Sequence, residues 1–235
     1  MSRQEEIDDF YELIEQLPIR YLKDVKNGDL PEKGVYFFFE EGENRTSSNQ
    51  KRVVRIGTHA VQANSKATLY KRLKQHSGPN HGYGRHRMSV QRELIGLSFI
   101  NKKYSGEYNE WGNRNKKSNK TILIQEKNLE KEVSDYILNM PFVVLKVEGD
   151  SSKDNLRAYI ESNSIKLLSN YRKTPVDPPS KNWLGLCCGN NKVMESGLWN
   201  RKEIEENSEI DPIFLETLDN LINEMGDLQY QNDLI

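Results

Sequence analysis

Apolar residues along this chain recur in short runs between longer polar stretches, and their spacing predicts its helices. The first run follows Ser2, which forms a capping-box pattern with Glu5, and it ends before Pro18. These signals predict an N-terminal helix with one apolar face. Apolar positions at helical spacing predict further helices over 66–77, 85–102, 128–140, 151–171 and 211–226.

Three runs rich in β-branched and aromatic residues have the composition of strands. They lie at 35–39, 52–57 and 141–147. A polar connection over 40–51 joins the first two, so we expect them to pair as antiparallel neighbours. The pattern predicts an α+β fold: a small three-stranded antiparallel sheet flanked by helices, with helical additions at both ends.

Composition narrows the class of protein. With 35% hydrophobic residues among 235, the chain has a modest core for one good-sized domain or two small ones. No apolar stretch approaches the ~20 residues that span a bilayer, and the acidic, polar N-terminus is unlike a secretory signal. The adjacent Cys187 and Cys188 give neither metal-ligand spacing nor a disulfide framework. We therefore expect a reduced, cytoplasmic protein with no membrane partner.

The net charge of −1 conceals a basic middle and an acidic end. Residues 51–120 contain 16 basic and 3 acidic side chains, a balance of +13, whereas residues 203–235 contain 10 acidic side chains and no basic one. The basic block is the electrostatic footprint expected for a polyanionic partner. The alternative is a solvated basic loop that pairs with the acidic tail.

Four side chains in the predicted elements are candidates for chemistry. Arg72 and His76 lie one turn apart at the edge of an apolar stripe and suit a phosphate, or they only cover the sheet and complement the helix dipole. Glu161, within an apolar helix face, needs a partner, which a divalent cation or Arg157 would supply. Tyr36 alternates with Val35 and Phe37 along its strand, so its hydroxyl faces the other side of the sheet. The alternative is an ordinary, half-exposed strand tyrosine.

Five short segments occur in an order that resembles the GIY-YIG nuclease superfamily. They are GVY at 34–36, RIG at 55–57, KRLKQH at 71–76, Glu161 and LLSN at 167–170. The catalytic set that this resemblance implies is Tyr36, Arg55, Arg72, His76, Glu161 and Asn170. Two of these depart from the pattern: Arg55 stands where the second motif usually has a tyrosine, and Asn170 follows Glu161 closely.

The resemblance implies hydrolysis of phosphodiester bonds with one divalent ion, Mg²⁺ or Mn²⁺. In that scheme Glu161 binds the metal, Tyr36 assisted by His76 removes a proton from the attacking water, and Arg72 orients the scissile phosphate. Because side chains alternate along a strand, Arg55 is expected to face the same surface as Tyr36.

The resemblance also implies a division of the chain. The nuclease core would cover 33–172 and carry a basic insertion at about 77–130. A helical extension at 1–32 would precede it, and a proline-punctuated connector with an acidic helical region would follow at 173–235.

The insertion interleaves basic and aromatic residues, a pattern that suits phosphates and bases. The predicted DNA-contacting residues are Lys71, Lys74, Arg85, His86, Arg87, Arg92, Trp111, Lys116 and Lys117. For Trp111 the alternative is a packing role within the loop. His81 and His86 lack a suitably spaced third metal ligand.

Together these features predict an Mg²⁺-dependent DNA endonuclease, monomeric or homodimeric, with a role in restriction or defence. One alternative is a nucleic-acid-binding module that has lost catalysis, which the substitution at Arg55 favours. Another is a repair or mobile-element nuclease. The C-terminal helix over 211–226 would either form a dimer contact or pack on its own core.

Overall fold

An antiparallel sheet forms the centre of the molecule. The computed structural model describes residues 1–59, 67–78, 83–116, 119–149 and 155–232. Within these ranges the sheet has four strands in the spatial order β1, β4, β2, β3. The strands are β1 (Arg20–Tyr21), β2 (Gly34–Asn44), β3 (Lys51–Gly57) and β4 (Pro141–Lys146). The predicted α+β class and the three predicted strands are confirmed, and β1 is an addition.

Two features of the sheet differ from the prediction. A two-residue strand such as β1 is too short to show a periodic pattern. In addition, β2 continues to Asn44, well into the segment predicted as a polar connection. Its polar end is stabilised by ion pairing, since the buried Glu43 carboxylate lies 2.7 Å from Arg52 Nη2 on β3. The ion pair compensates the one buried charge in this otherwise exposed end of the strand.

Eight α-helices surround the sheet in the described part of the chain. They are α1 (Arg3–Ile14), α2 (Leu69–Ser77), α3 (Val90–Lys103), α4 (Lys120–Gln125), α5 (Lys127–Leu138), α6 (Leu156–Leu168), α7 (Asn191–Ser196) and α8 (Phe214–Asn232). The capping box of Ser2 and Glu5 is present. The helix predicted over 85–102 divides into a 3-10 turn, His86–Met88, and α3. None of the described helices is long and apolar enough to cross a membrane.

The unpredicted helices and one predicted start have simple explanations. The helices α4 and α7 have six residues each, which is too few for a clear apolar period. The predicted start of α6 at 151–154 lies outside the described residues. Asn155 caps that helix, because its side chain accepts a hydrogen bond from the Ala158 N–H at 2.9 Å.

The C-terminal third of the chain contributes to the same hydrophobic core as the sheet. Trp199 is fully buried, and its backbone N–H donates to the Val54 carbonyl at 2.6 Å. This segment therefore pairs with the outer edge of β3. The apolar face of α8 packs against α1 and β4, with Phe214 and Leu218 fully buried. The structure therefore places this helix on its own core.

Candidate active site

Tyr36 lies fully buried in β2, with its ring over β3. It stands opposite Gly57 in the strand register, and a Cβ atom at position 57 would lie 2.3 Å from the Tyr36 hydroxyl oxygen. Glycine is therefore required there for space. The hydroxyl lies 2.7 Å from Nε2 of His76 on α2. Two residues from separate sequence motifs thus form one hydrogen-bonded pair.

His76 is fully buried and is held from α3. Its Nδ1 lies 2.7 Å from Ser89 Oγ, and its carbonyl accepts from Arg92 Nη1 at 2.7 Å. Burial holds the pKa of His76 well below the usual 6.5, and the charges of Arg72 and Arg55 lower it further. The imidazole is therefore neutral near pH 7, with one donor and one acceptor nitrogen.

Glu161, on α6, is a half-buried carboxylate close to two cations. Burial raises the pKa of Glu161 to about 7, while the Arg55 and Arg72 guanidinium groups and the Thr58 backbone N–H oppose that rise. Repulsion from Glu203 adds to the effect of burial. The carboxylate is therefore only partly compensated by its surroundings, which favours the binding of a cation.

The two arginines differ in how fully their donors are used. Arg55, 8% exposed, donates from Nη1 to the Trp199 carbonyl at 3.1 Å, and its buried Nε has no partner among the described residues. Arg72 is half-buried and donates to Gln75 Oε1 at 3.1 Å. Both lie near enough to lower the pKa values of His76 and Glu161. The structure thus brings together Tyr36, Arg55, Arg72, His76 and Glu161.

Asn170 has a different role from the one predicted. Its Nδ2 donates to the Val176 carbonyl at 3.1 Å, and its Oδ1 accepts from the Val176 N–H at 2.9 Å and from Arg3 Nη2 at 3.0 Å. These bonds close the turn that follows α6 and tie it to α1. The side-chain amide is thereby used for the fold, and a catalytic role for Asn170 stays a prediction.

Arg157, the alternative partner for Glu161, is directed to the end of β4. Its Nη1 donates to the carbonyl groups of Val147, Glu148 and Gly149 at 3.2, 3.5 and 3.3 Å. The i, i+4 spacing of Arg157 and Glu161 on α6 therefore does not produce an ion pair that fixes the Glu161 carboxylate.

Three further residues shape the site without having been predicted. Ser89, which contacts His76, resembles any N-cap serine in the sequence. Asn200 binds both backbone polar groups of Ile56 in β3, accepting from its N–H at 3.1 Å and donating to its carbonyl at 3.0 Å. His59 follows β3 and contacts the Glu32 carbonyl at 3.2 Å, and burial lowers its pKa to about 4. All three contacts are non-local, so sequence spacing gives no signal for them.

Several predicted DNA-contacting residues are instead buried within the insertion. Glu130 accepts from His86 Nδ1 at 2.8 Å through one carboxylate oxygen and from Arg92 Nη2 at 2.5 Å through the other. His86 also stacks on Trp111, with ring centroids 3.6 Å apart. Arg87 forms a two-pronged ion pair with Glu126. These buried side chains are bonded to partners inside the insertion and hold it together, so their contact with DNA stays a prediction.

The remaining predicted contacts are either accessible or outside the residues that the structure describes. Lys71 and Arg85 are exposed and Lys74 is half-buried. The side chain of Lys116, together with Lys117, lies outside the described residues, as does His81. Among the predicted contacts whose side chains the structure describes, the accessible ones therefore lie on α2 and just before the 3-10 turn at His86–Met88.

A metal at this site would depend on few protein ligands. Among the described residues, no group of three or more His, Cys, Asp or Glu side chains is arranged to hold an ion. Mg²⁺ is commonly bound by one or two carboxylates, with waters and substrate phosphates completing its shell. The partly compensated carboxylate of Glu161 fits that mode of binding.

Comparison with known proteins adds one match. A family model described as the GIY-YIG domain matches residues 1–228. Neither the curated proteins nor the solved structures include a significant match.

Proposed function

Since this chain belongs to the GIY-YIG domain family, whose members are generally endonucleases, we propose that it is a DNA endonuclease dependent on one divalent ion, Mg²⁺ or Mn²⁺. The observation that carries the proposal is the buried 2.7 Å hydrogen bond between Tyr36 and His76. The charges of Arg55 and Arg72 act on both His76 and the Glu161 carboxylate. A hydrogen-bonded acid–base pair, two guanidinium groups and a carboxylate are the parts that phosphodiester hydrolysis needs.

The Tyr36–His76 pair supplies the base. With Nδ1–H donating to Ser89 Oγ, Nε2 of the neutral imidazole is free to accept the Tyr36 hydroxyl proton. Tyr36 then takes a proton from the attacking water as it gives its own to His76. The cationic surroundings stabilise the negative charge that develops on the phenol oxygen.

The arginines bind the phosphate. Arg72 uses one donor on Gln75 and Arg55 uses one on Trp199, so each guanidinium retains N–H groups for phosphate oxygens. Fixed positive charge beside the reacting phosphorus atom stabilises the transition state more than the ground state.

Glu161 would hold the metal. When bound, the ion supplies positive charge to the leaving oxygen. The role of the protein there is to present a single carboxylate from α6, close to the arginines that bind the same phosphate.

A plasmid-nicking assay with Mg²⁺ tests this function. We expect Glu161→Ala to lose at least about 100-fold in rate, because one electrostatic contact to the transition state is worth roughly 3 kcal/mol. Glu205→Ala is the matched control, since Glu205 is an exposed carboxylate paired with Lys192 and has no part in the proposed mechanism. Equal nicking by wild type and Glu161→Ala would contradict the proposal.

The second candidate is a nucleic-acid-binding module without catalysis. The observation in its favour is that Arg55, at the second motif's tyrosine position, is bonded to the Trp199 carbonyl as a structural residue would be. The nicking assay together with a gel-shift experiment distinguishes this candidate: wild type and Glu161→Ala would both fail to nick the plasmid, and both would still shift DNA in the gel. For the active enzyme, the setting we propose is restriction or defence against foreign DNA.

A further inference from the structure

A groove beside α2 is not part of the site described above. It has a volume of about 430 Å³, and its principal lining residues are Tyr70, Lys71, Lys74, Tyr83, Arg85 and Met88. We call it the α2 groove. None of its described lining residues is acidic.

The walls of the α2 groove are aromatic and apolar. Tyr70 and Tyr83 are half-buried, and Met88 is 61% exposed. Each ring has a cation near it: Lys74 Nζ lies 5.5 Å from the centre of the Tyr70 ring, and Lys127 Nζ lies 5.3 Å from that of Tyr83. Such a surface suits a flat, uncharged ring system attached to anionic groups.

The buried network of the insertion fixes the floor of the groove. The Gly84 N–H donates to Ser134 Oγ at 3.1 Å, and a Cβ atom on Gly84 would lie 2.4 Å from the Arg92 guanidinium carbon. Arg92 is held in turn by Glu130. The floor of the groove is therefore fixed by contacts within the protein, so a ligand would not have to order that part of it.

The groove also adjoins the proposed phosphate site. Gln75 lines it, and the Oε1 atom of Gln75 accepts from Arg72. A strand with its scissile phosphate at Arg72 would therefore carry a neighbouring nucleotide towards Tyr70 and Tyr83. The exposed Lys71 and Arg85 would meet its phosphates.

We propose that the α2 groove binds an unpaired base of the substrate strand, next to the scissile phosphate. A base within a duplex has both faces covered by its neighbours, so only an unpaired or extruded base can stack on the two tyrosines. The inference rests on the proposed nuclease function and assigns to it a substrate with a single-stranded or distorted segment.

The test measures the binding of two labelled probes without divalent ions: single-stranded dT12 and a blunt-ended, fully paired duplex. We expect Tyr70→Ser and Met88→Glu to weaken dT12 binding at least about fivefold, the lower value for one base–aromatic stack. We expect Tyr70→Ser to leave duplex binding within about twofold. The controls are Tyr21→Ser, a tyrosine with Lys23 at 5.1 Å on β1, and Ile213→Glu, an apolar residue that is 58% exposed.

Salt dependence separates stacking from charge. Tyr70→Ser should leave the slope of log affinity against log salt unchanged, whereas Lys74→Ala should reduce it by about 0.7 for dT12. Lys74→Ala also keeps the test informative where a tyrosine variant does not fold.

The outcomes distinguish this inference from the function on which it rests. If the groove variants bind dT12 like their controls while nicking still depends on Glu161, the base site is wrong and the nuclease stands. If they lose dT12 binding while wild type and Glu161→Ala are equally inert, the base site stands and the nuclease proposal is wrong.

Discussion

Arg55 serves both the fold and the site. It lies in the middle of β3 with only 8% of its surface exposed, and it bonds to the Trp199 carbonyl of the C-terminal segment. Its charge also lowers the pKa values of Glu161 and His76. A buried guanidinium is tolerated because a nearby carboxylate and a carbonyl compensate its positive charge.

We expect Arg55→Ala to lose plasmid nicking at least about 100-fold and to cost only about 1 kcal/mol of stability, the value of one hydrogen bond. Nicking rates and urea unfolding of the purified variant measure the two effects. Arg55→Lys keeps the charge without the forked donor geometry, so it should recover part of the rate. Normal cutting by Arg55→Ala would show that this arginine acts only in the fold.

Glu161 makes the stability of the protein depend on pH. Its folded pKa of about 7 lies above the ordinary value of 4.5, so between these pH values the folded state binds more protons than the unfolded state. The contribution of this group to stability therefore falls as pH rises through that range. We expect Glu161→Gln to become more stable than wild type at pH 8, by on the order of 2 kcal/mol, with little difference at pH 4.5.

Urea unfolding of both proteins at the two pH values, without divalent ions, checks this expectation. Other titrating groups cancel in the difference between wild type and Glu161→Gln. A difference that does not change with pH would mean that Glu161 has an ordinary pKa.

At the scale of elements, the helices α2, α3 and α5 are joined by one buried ionic network. Glu130 on α5 binds Arg92 on α3, and Arg92 binds the carbonyl of His76 on α2. The orientation of His76 towards Tyr36 therefore depends on a carboxylate more than fifty residues later in the chain. Breaking a buried ion pair by removing one partner is strongly destabilising, because the remaining charge has no compensation.

We expect Glu130→Gln to lower the free energy of unfolding by about 3 kcal/mol and to reduce nicking as well. Glu205→Gln is the matched control, since its ion pair with Lys192 is exposed on both sides and contributes little. Urea unfolding of the two variants measures the contrast. Similar losses in both would show that the Glu130 network does not stabilise the fold.

For the whole molecule, the charge pattern acquires a different meaning once the chain is folded. Part of the basic block is neutralised from within the insertion, since Glu126 and Glu130 pair with Arg87 and Arg92. The acidic tail does not supply these partners, as the alternative required. Among the described residues, Lys71 and Arg85 of that block remain exposed beside the α2 groove, and the exposed Lys127 on α5 adds a further positive charge there.

The molecule is also more integrated than the predicted division implies. The family match covers residues 1–228, and residues of the N-terminal helix, the sheet and the C-terminal segment share one hydrophobic cluster. The division at 32 and 172 stays a prediction, since a shared core does not by itself define where a nuclease unit ends.

The sequence by itself determined the class of fold, the main helices and strands, and most of the catalytic candidates. Apolar periodicity and capping are local properties of a sequence. The motif residues Tyr36, Arg72, His76 and Glu161 could be found because their order resembles that of a known family. Only the tertiary structure decided which side chains meet. It paired Tyr36 with His76 over Gly57, enclosed His86 and Arg92 around Glu130, and used Asn170 to close a turn. These contacts join residues distant in sequence, and burial, which depends on the whole fold, decides whether a charged side chain serves a ligand or the core.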